Sequence, residues 1–247
     1  MDDSSARKLA DVLAGAASVA VLTGAGISKE SGIPTFREAQ SGLWANYDPL
    51  TLATPEGFRN DPKLVWQWYD HRRRTVGTVQ PNPGHYAIAQ MQKAMPLTVI
   101  TQNVDGLHQR AGAKDVIELH GSILRFECFD SRHPIGDVPE GLEVPPVCHC
   151  GSLVRPAVVW FGEMLPPGTF ERAADAVEEA EVVIVVGTSG LVQPAASLPS
   201  IGRRAGAILA EINPDITPIS DSVDFFLQGP SGVVLSTLMN LIQEKSK

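Results

Sequence analysis

The sequence predicts a doubly wound α/β fold built on a parallel sheet, and three observations lead there. First, four short apolar runs read as buried strands: 17–24 (ASVAVLTG), 96–103 (PLTVITQN), 180–189 (AEVVIVVGTS) and 207–213 (AILAEIN). Near-continuous apolar runs are what strands covered on both faces require. Second, helical patterns precede three of them, at 4–15 (SSARKLADVLAG), 82–95 (NPGHYAIAQMQKAM) and 169–180 (TFERAADAVEEA), each opened by a Ser, Asn or Thr cap candidate. That alternation places helices on both faces of a parallel sheet. Third, the first three strands run out into TGAGIS, TQNVDGLH and GTSG. Polar and Gly-rich segments at the carboxyl ends of strands are where open α/β sheets bind ligands.

Two stretches do not fit the sheet. Residues 35–75 lack a strand pattern and carry Trp44, Trp66 and Trp68, while 121–158 hold every cysteine and the Pro/Gly-rich DVPEGLEVPP. Both are read as insertions that together form a smaller domain, leaving 1–34, 76–120 and 159–247 as the larger one. The final LMNLIQEKSK reads as a closing helix.

Composition narrows the function. A chain of 247 residues with 43% hydrophobic and 19% charged residues can bury a sizeable core. A formal net charge of -8 argues against a general nucleic-acid or anionic-membrane binder. No apolar run approaches the ~20 residues of a membrane helix, and MDDSSARKLADVL is acidic where a secretory signal is basic. The expectation is a cytoplasmic protein without nucleic-acid or membrane partners. Three clustered cysteines, Cys128, Cys148 and Cys150, suit a metal site or reduced thiols better than a disulfide framework.

Gly24 and Gly26 directly follow the first strand. Missing side chains there let backbone N–H groups approach a phosphate. The loop is neither a Walker loop nor a full G-x-G-x-x-G, since Lys29 stands where the last Gly would fall, and no acidic residue sits about 20 residues on to grip a ribose. A dinucleotide bound here takes a different geometry, and a plain α/β turn explains the loop equally well.

Six segments in order carry a resemblance: GAGIS (24–28), ESGIPTFR (30–37), TQNVDGLH (101–108), ELHGS (118–122), VVWFGE (158–163) and GTS (187–189). Together they resemble the sirtuins, NAD-dependent protein lysine deacylases, from about Val21 to the FLQGPSG at 226–232. The resemblance implies a Rossmann-like large domain, a small domain with a zinc module, and a cleft where NAD and an acyl-lysine protein or peptide meet. In that family's reaction the acyl oxygen attacks the nicotinamide ribose, nicotinamide leaves, and the acyl group ends on ADP-ribose.

The resemblance assigns roles residue by residue. His120 matches the family's general base, and an imidazole with an ordinary pKa near ~6.5 suits that work. Gln102, Asn103 and Asp105 match the polar pocket for nicotinamide and its ribose, with Asn103 and Asp105 counted with His120 as catalytic. Gly24, Ala25, Thr35, Phe36 and Arg37 fall on the cofactor loop; Gly187, Thr188 and Ser189 face phosphates or ribose; Asn213 and Ser231 fall on the adenosine side. Val159, Phe161, Gly162 and Glu163 belong to the segment against which a substrate peptide pairs as an added strand.

The cysteines depart from the pattern. The family's zinc module uses two cysteine pairs, as four tetrahedral ligands require. Here Cys128 has Ser131 in its partner's place, and the second pair is compressed to Cys148-His149-Cys150. Asp130, His133 and His149 are candidate fourth ligands, His149 being awkward between two cysteines. The expectation set against zinc, and preferred to it, is a module held by packing alone with its thiols reduced.

In LATPEGFRNDPKLVWQWYDHRRR the apolar positions Val65, Trp66 and Tyr69 suggest a helix. Tyr69 and Arg72 then project from one face, about one turn apart. The same Y-x-x-R spacing resembles the sirtuin branch that removes malonyl, succinyl and glutaryl groups. There the pair resembles a carboxylate clamp, an arginine fork beside a phenol donor. Small Ala53, where deacetylases of the family tend to carry bulk, and Thr35, where many carry Asp, point the same way. Arg73 and Arg74 are expected to be solvated charge. The reading is an NAD-dependent deacylase preferring acidic acyl groups and also able to deacetylate. The rivals are a plain deacetylase, a mono-ADP-ribosyltransferase and a catalytically silent NAD-binding module.

Overall fold

The computed structural model describes residues 3–34, 48 and 52–245. The main sheet contains β1 (Val19–Thr23), β2 (Leu97–Thr101), β3 (Ile117–Glu118), β7 (Val182–Val186), β8 (Ile208–Asn213) and β9 (Phe225–Gln228). Their order is β3-β2-β1-β7-β8-β9, and every pairing is parallel. The smaller sheet is antiparallel, with β4 (Gly121–Cys128) between β5 (Pro134–Ile135) and β6 (Val154–Val158). The helices are α1 (Asp3–Gly15), α2 (Ala25–Lys29), α3 (Pro55–Asn60), α4 (Pro62–Thr78), α5 (Pro83–Ala94), α6 (Leu107–Arg110), α7 (Thr169–Glu178), α8 (Leu198–Ala205) and α9 (Ser231–Lys245).

An apolar run hides a period of two once the strand is covered on both sides. In β1, Val19 and Val21 pack into one core with Leu9, Leu13, Ile88, Met91 and Leu238, from α1, α5 and α9. Ala20 and Leu22 face the opposite core, shared with Ala173, Val177 and Leu198 from α7 and α8. The helix face of α4 divides in the same manner: Trp68 and Tyr69 pack with Ile123, Val158 and Trp160, while Trp66 packs with Phe126, Cys128, Cys148 and Val154. Segments from both sequence stretches outside the main pattern therefore meet in space.

Four strands were legible as apolar runs, and the main sheet has six. Ile117–Glu118 is two residues long, too short to show any period, and Phe225–Gln228 is a four-residue edge strand of mixed polarity. Thr169 is the first residue of α7 and not its cap; Gly168, in the left-handed region, holds the cap position without a side-chain bond. The closing helix begins at Ser231, a full two turns before the LMNL run. Among the described residues no helix is long and apolar enough to cross a membrane.

β1 has β2 on one side and β7 on the other, so chain direction across the sheet reverses between β1 and β7. Ligands of doubly wound sheets bind outside the carboxyl ends of the strands at that point. Here the loops after β1 and β7 touch backbone to backbone. Gly26 N–H donates to Gly187 O at 2.7 Å, and Gly24 N–H donates to Val186 O at 3.0 Å. A Cβ added to Gly26 would lie 2.6 Å from Gly187 O and 2.7 Å from its Cα, and one added to Gly24 would lie 2.8 Å from Thr188 Cα. The glycines after β1 thus seat one loop on another. Because the obstacle is backbone, Gly26→Ala should destabilise the protein by about 2–3 kcal/mol, measured by urea unfolding; an unchanged midpoint would contradict this packing.

Candidate active site

Residues beyond β1, β2, β7 and β8 form one hydrogen-bonded floor. Asn103 Nδ2 donates to Gly24 O and to Ser28 Oγ, both at 3.0 Å, and the Ser28 hydroxyl donates to Asp105 Oδ2 at 2.7 Å. Asp105 Oδ1 accepts from Leu107 N–H at 2.9 Å, at the start of α6. Asn103 N–H donates to Thr101 Oγ1, which also accepts from Thr23 Oγ1 at 2.8 Å. On the far side, Gln102 Nε2 donates to Thr188 Oγ1 at 3.0 Å, and Asn213 Nδ2 donates to Thr188 O at 2.9 Å. Gln102, Asn103, Asp105, Gly24, Thr188 and Asn213 are thereby brought together. Gly187 supports them through its backbone, while Ala25 opens α2 and Ser189 follows Thr188, partly exposed.

His120 sits at the junction between β3 and β4. Its Nδ1 lies 3.0 Å from Gln102 O, and its own carbonyl accepts from Val159 N–H at 2.9 Å. A carbonyl only accepts, so Nδ1 carries the proton and Nε2 keeps a lone pair. Burial lowers the His120 pKa below the ordinary histidine value, against the Gln102 bond that favours the cation. Asp105 moves the other way: burial raises it, opposed by the Leu107 and Ser28 bonds. Both groups are pushed toward neutrality.

Ser231, at the start of α9, is buried. Its neighbour Gly232 donates N–H to Glu30 Oε1 at 2.9 Å, tying α9 to the loop after β1. Asn82 adds a second tie by donating to Ile27 O at 2.6 Å. Thr35, Phe36 and Arg37 lie outside the described residues. Ser28, which joins Asn103 to Asp105, was missed as an individual residue, although it closes the quoted GAGIS. Its only signal was a hydroxyl at a strand-to-helix turn.

The VVWFGE segment remains extended only in part. β6 ends at Val158, and Phe161–Gly162 turn. Val159 N–H bonds to His120 O, Phe161 N–H to Ala53 O at 2.9 Å, and Trp160 N–H to Glu163 Oε2 at 2.7 Å. The Glu163 carboxylate also accepts from Arg155 at 2.5 and 3.0 Å and from Arg132 at 2.8 Å. Burial works to raise its pKa, but the Arg155 bonds and charge hold it below the ordinary carboxylate range. Glu163 thus faces inward and supports the turn, while Phe161 is exposed. Arg155, fully buried, was invisible as a structural keystone in the sequence.

Tyr69 is buried, and its phenol is pushed up to about 12, mainly by burial, with the Arg72 charge opposing. Arg72 is partly buried, its guanidinium carbon 4.8 Å over the Trp68 ring. Burial lowers its pKa and Tyr69 opposes that shift. Ala53 belongs to the same apolar cluster as Tyr69 and Trp160. Arg73 and Arg74 both pair with Asp70, each at 2.6 Å, so they are paired within α4 and not simply solvated.

The three cysteine sulfurs lie within 4.8 Å of one another, and Cys128 and Cys150 are 3.4 Å apart. Hydrogen bonds from the Ser131 hydroxyl and main chain bring the Cys128 thiol down to about 6. Sulfurs so grouped, with one thiol readily ionised, fit a zinc ion.

Residues 24–194 match the sequence model of the Sir2 family. The chain is 50% identical over 241 residues to NAD-dependent protein deacylase 2 of Pyrobaculum aerophilum, covering 96% of each protein. Among solved structures, it superposes on a Sir2 homologue–NAD complex with a TM-score of 0.92 at 45% identity, covering 97% of this chain and 94% of that one. A Sir2 complex with a deacetylated p53 peptide and 3′-O-acetyl ADP-ribose gives 0.82 at 32% identity, covering 97% of each.

The Arg155–Glu163 contact generates a stability prediction. Glu163→Gln removes the closer of the two carboxylates that compensate a fully buried guanidinium. It should cost about 3–5 kcal/mol near neutral pH. Because the folded Glu163 pKa is depressed, the wild-type advantage is complete above the ordinary ~4.3 and shrinks as pH falls through the folded value. Denaturant unfolding at two pH values reads this, and equal stabilities near pH 7 would overturn it.

Proposed function

Because the chain belongs to the Sir2 family and is an NAD-dependent protein deacylase, we propose that it acts preferentially on lysines carrying malonyl or succinyl groups and also removes acetyl. The observation that carries this reading is Arg72 beside the buried Tyr69, in the apolar cluster that contains the small Ala53. A guanidinium partly withdrawn from water gains from a carboxylate partner, and a planar fork with a phenol donor matches carboxylate geometry.

The residues of the floor are suited to the family's reaction. Bound NAD supplies the nicotinamide ribose that receives the acyl oxygen. The donor set suits such a ligand: amide and hydroxyl groups at the switch point, with the Asn103 amide nitrogen already fixed by Gly24 and Ser28. That fixation leaves the Asn103 carbonyl oriented for a hydrogen-bond donor. Asp105, held by Ser28 and Leu107, presents an acceptor for ribose hydroxyls. His120, with its proton held on Nδ1 by Gln102, takes a proton at Nε2. The turn at 160–163, anchored by Glu163 and by Phe161 N–H on Ala53, borders the acyl-lysine path. Cys128, Cys148 and Cys150 would hold a structural zinc away from these steps.

Three measurements test the reading. In kcat/KM against pH for an acyl peptide at saturating NAD, the acid limb should fall below the ordinary ~6.5 of histidine, because burial lowers His120. His120→Tyr should abolish turnover and O-acyl-ADP-ribose formation, and a fully active variant would remove His120 from its role. For acyl choice, Arg72→Met should lower kcat/KM on a succinyl-lysine peptide by about 10–100-fold, as loss of a charged hydrogen-bonded partner implies, with acetyl-lysine turnover retained. An unchanged succinyl preference would sink the carboxylate reading and leave a plain deacetylase.

A further inference from the structure

The cysteine cluster has two imidazoles beside it. His133 Nε2 lies 3.1 Å from Cys148 Sγ, and His149 Nδ1 lies 3.5 Å from the same sulfur. Cys148 therefore belongs to two sets of grouped donor atoms, Cys128–Cys148–Cys150 and His133–Cys148–His149. We propose that this chain holds zinc with a Cys3His set, in which His133 Nε2 supplies the fourth ligand and Ser131 is the residue that orients it.

The chemistry of Ser131 separates the two histidines. Ser131 occupies the position where a second cysteine would complete a C-x-x-C pair with Cys128. Its hydroxyl lies 2.6 Å from His133 Nδ1. In the proposed site the hydroxyl accepts from Nδ1–H. That fixes the His133 tautomer and turns the lone pair of Nε2 toward Cys148. A hydrogen bond to the far nitrogen is the usual support of a metal-ligating histidine. His149 has no such support among the described residues; it is exposed and sits in sequence between two sulfur ligands. Three sulfurs and one nitrogen make the four ligands of a tetrahedral structural zinc, and binding would draw His133, grouped in this structure with Cys148 and His149, toward the other two sulfurs.

The surroundings agree. Cys128 and Cys148 are buried, and Cys148 and His149 line a cavity of ≈ 360 Å³ with Ile135, Pro146, Val147 and Val154, which gives an ion a path from solvent. The backbone already forms the turn a metal would brace: Cys128 N–H donates to His133 O, and Arg132 N–H donates to Cys128 O, both at 3.0 Å. Binding displaces the thiol protons into solvent, so apparent affinity rises with pH.

The test uses the purified full-length chain, stripped with chelator and titrated with zinc chloride against a chromogenic competitor, followed by X-ray absorption. The expected result is one zinc per chain with three sulfurs and one nitrogen in its shell. His133→Ala should weaken zinc on the order of tenfold or more, and Ser131→Ala on the order of tenfold, the scale of support lost around metal ligands. His149→Ala should keep both affinity and shell. His133→Cys guards against a folding defect, since it should retain zinc with four sulfurs. No stoichiometric zinc, a wild-type shell without nitrogen, or loss of zinc from His149→Ala in place of His133→Ala would each overturn the assignment. None of these readouts depends on acyl preference or turnover.

Discussion

The contact between Gly26 and Gly187 governs the geometry around it. Two loops that follow parallel neighbouring strands normally part at the switch point, and the gap is where a ligand lies. Here the loops approach until amide meets carbonyl at 2.7 Å, with no space for a Cβ on either glycine. The approach brings Gly24 O within reach of Asn103 and sets Thr188 between Gln102 and Asn213. Each polar residue on the floor thus has a neighbour from a different strand. A side chain at Gly26 would separate β1 from β7 at their ends and would loosen every one of those bonds.

A second junction joins the small sheet to the turn at 160–163. Arg155 on β6 is buried among Glu127, Glu163 and the ring of Trp160, whose centroid lies 3.3 Å from its guanidinium carbon. Arg132, from the turn between Cys128 and His133, reaches both Glu127 and Glu163. One carboxylate is therefore shared by the cysteine module and by the turn at 160–163. Any change in the 128–133 turn is felt at Trp160 and Phe161 through two salt bridges and no intervening loop.

Legibility followed physical scale. The four interior strands were readable because each is buried on both faces and five or six residues long; β3 was not, since two residues carry no periodicity. The helix carrying Tyr69 and Arg72 was readable from its spacing, and so was its shared face. Asn103, Asp105 and His120 were readable only as members of ordered motifs, since a lone Asn or His says nothing about its partners. Arg155 and the true place of Glu163 were not readable at all, and Ser28 only as the last residue of GAGIS. Their roles depend on partners up to 77 residues away in sequence, as with Ser28 and Asp105, and composition does not record such pairings. The glycines were read as a ligand's approach; the structure shows that they first admit another loop.

Burial then acts on four ionisable groups in one direction, toward neutrality, with different consequences. Asp105 and Tyr69 are raised, while His120 and Arg72 are lowered. For His120, on the proposed reading, neutrality is the useful state, because a base must arrive without its proton. For Tyr69 it preserves a hydroxyl donor across the physiological range. Asp105 resists through two hydrogen bonds that it accepts, from Ser28 and Leu107, so its acceptor capacity survives the loss of water. Arg72 differs, since a guanidinium does not surrender its proton near neutral pH. On the proposed reading, a carboxylate in the same place gives that partly buried charge an ionic partner. An acetyl group brings no charge to do so, and on the proposed reading that difference, set by solvation more than by the shape of the cleft, separates acidic acyl groups from acetyl.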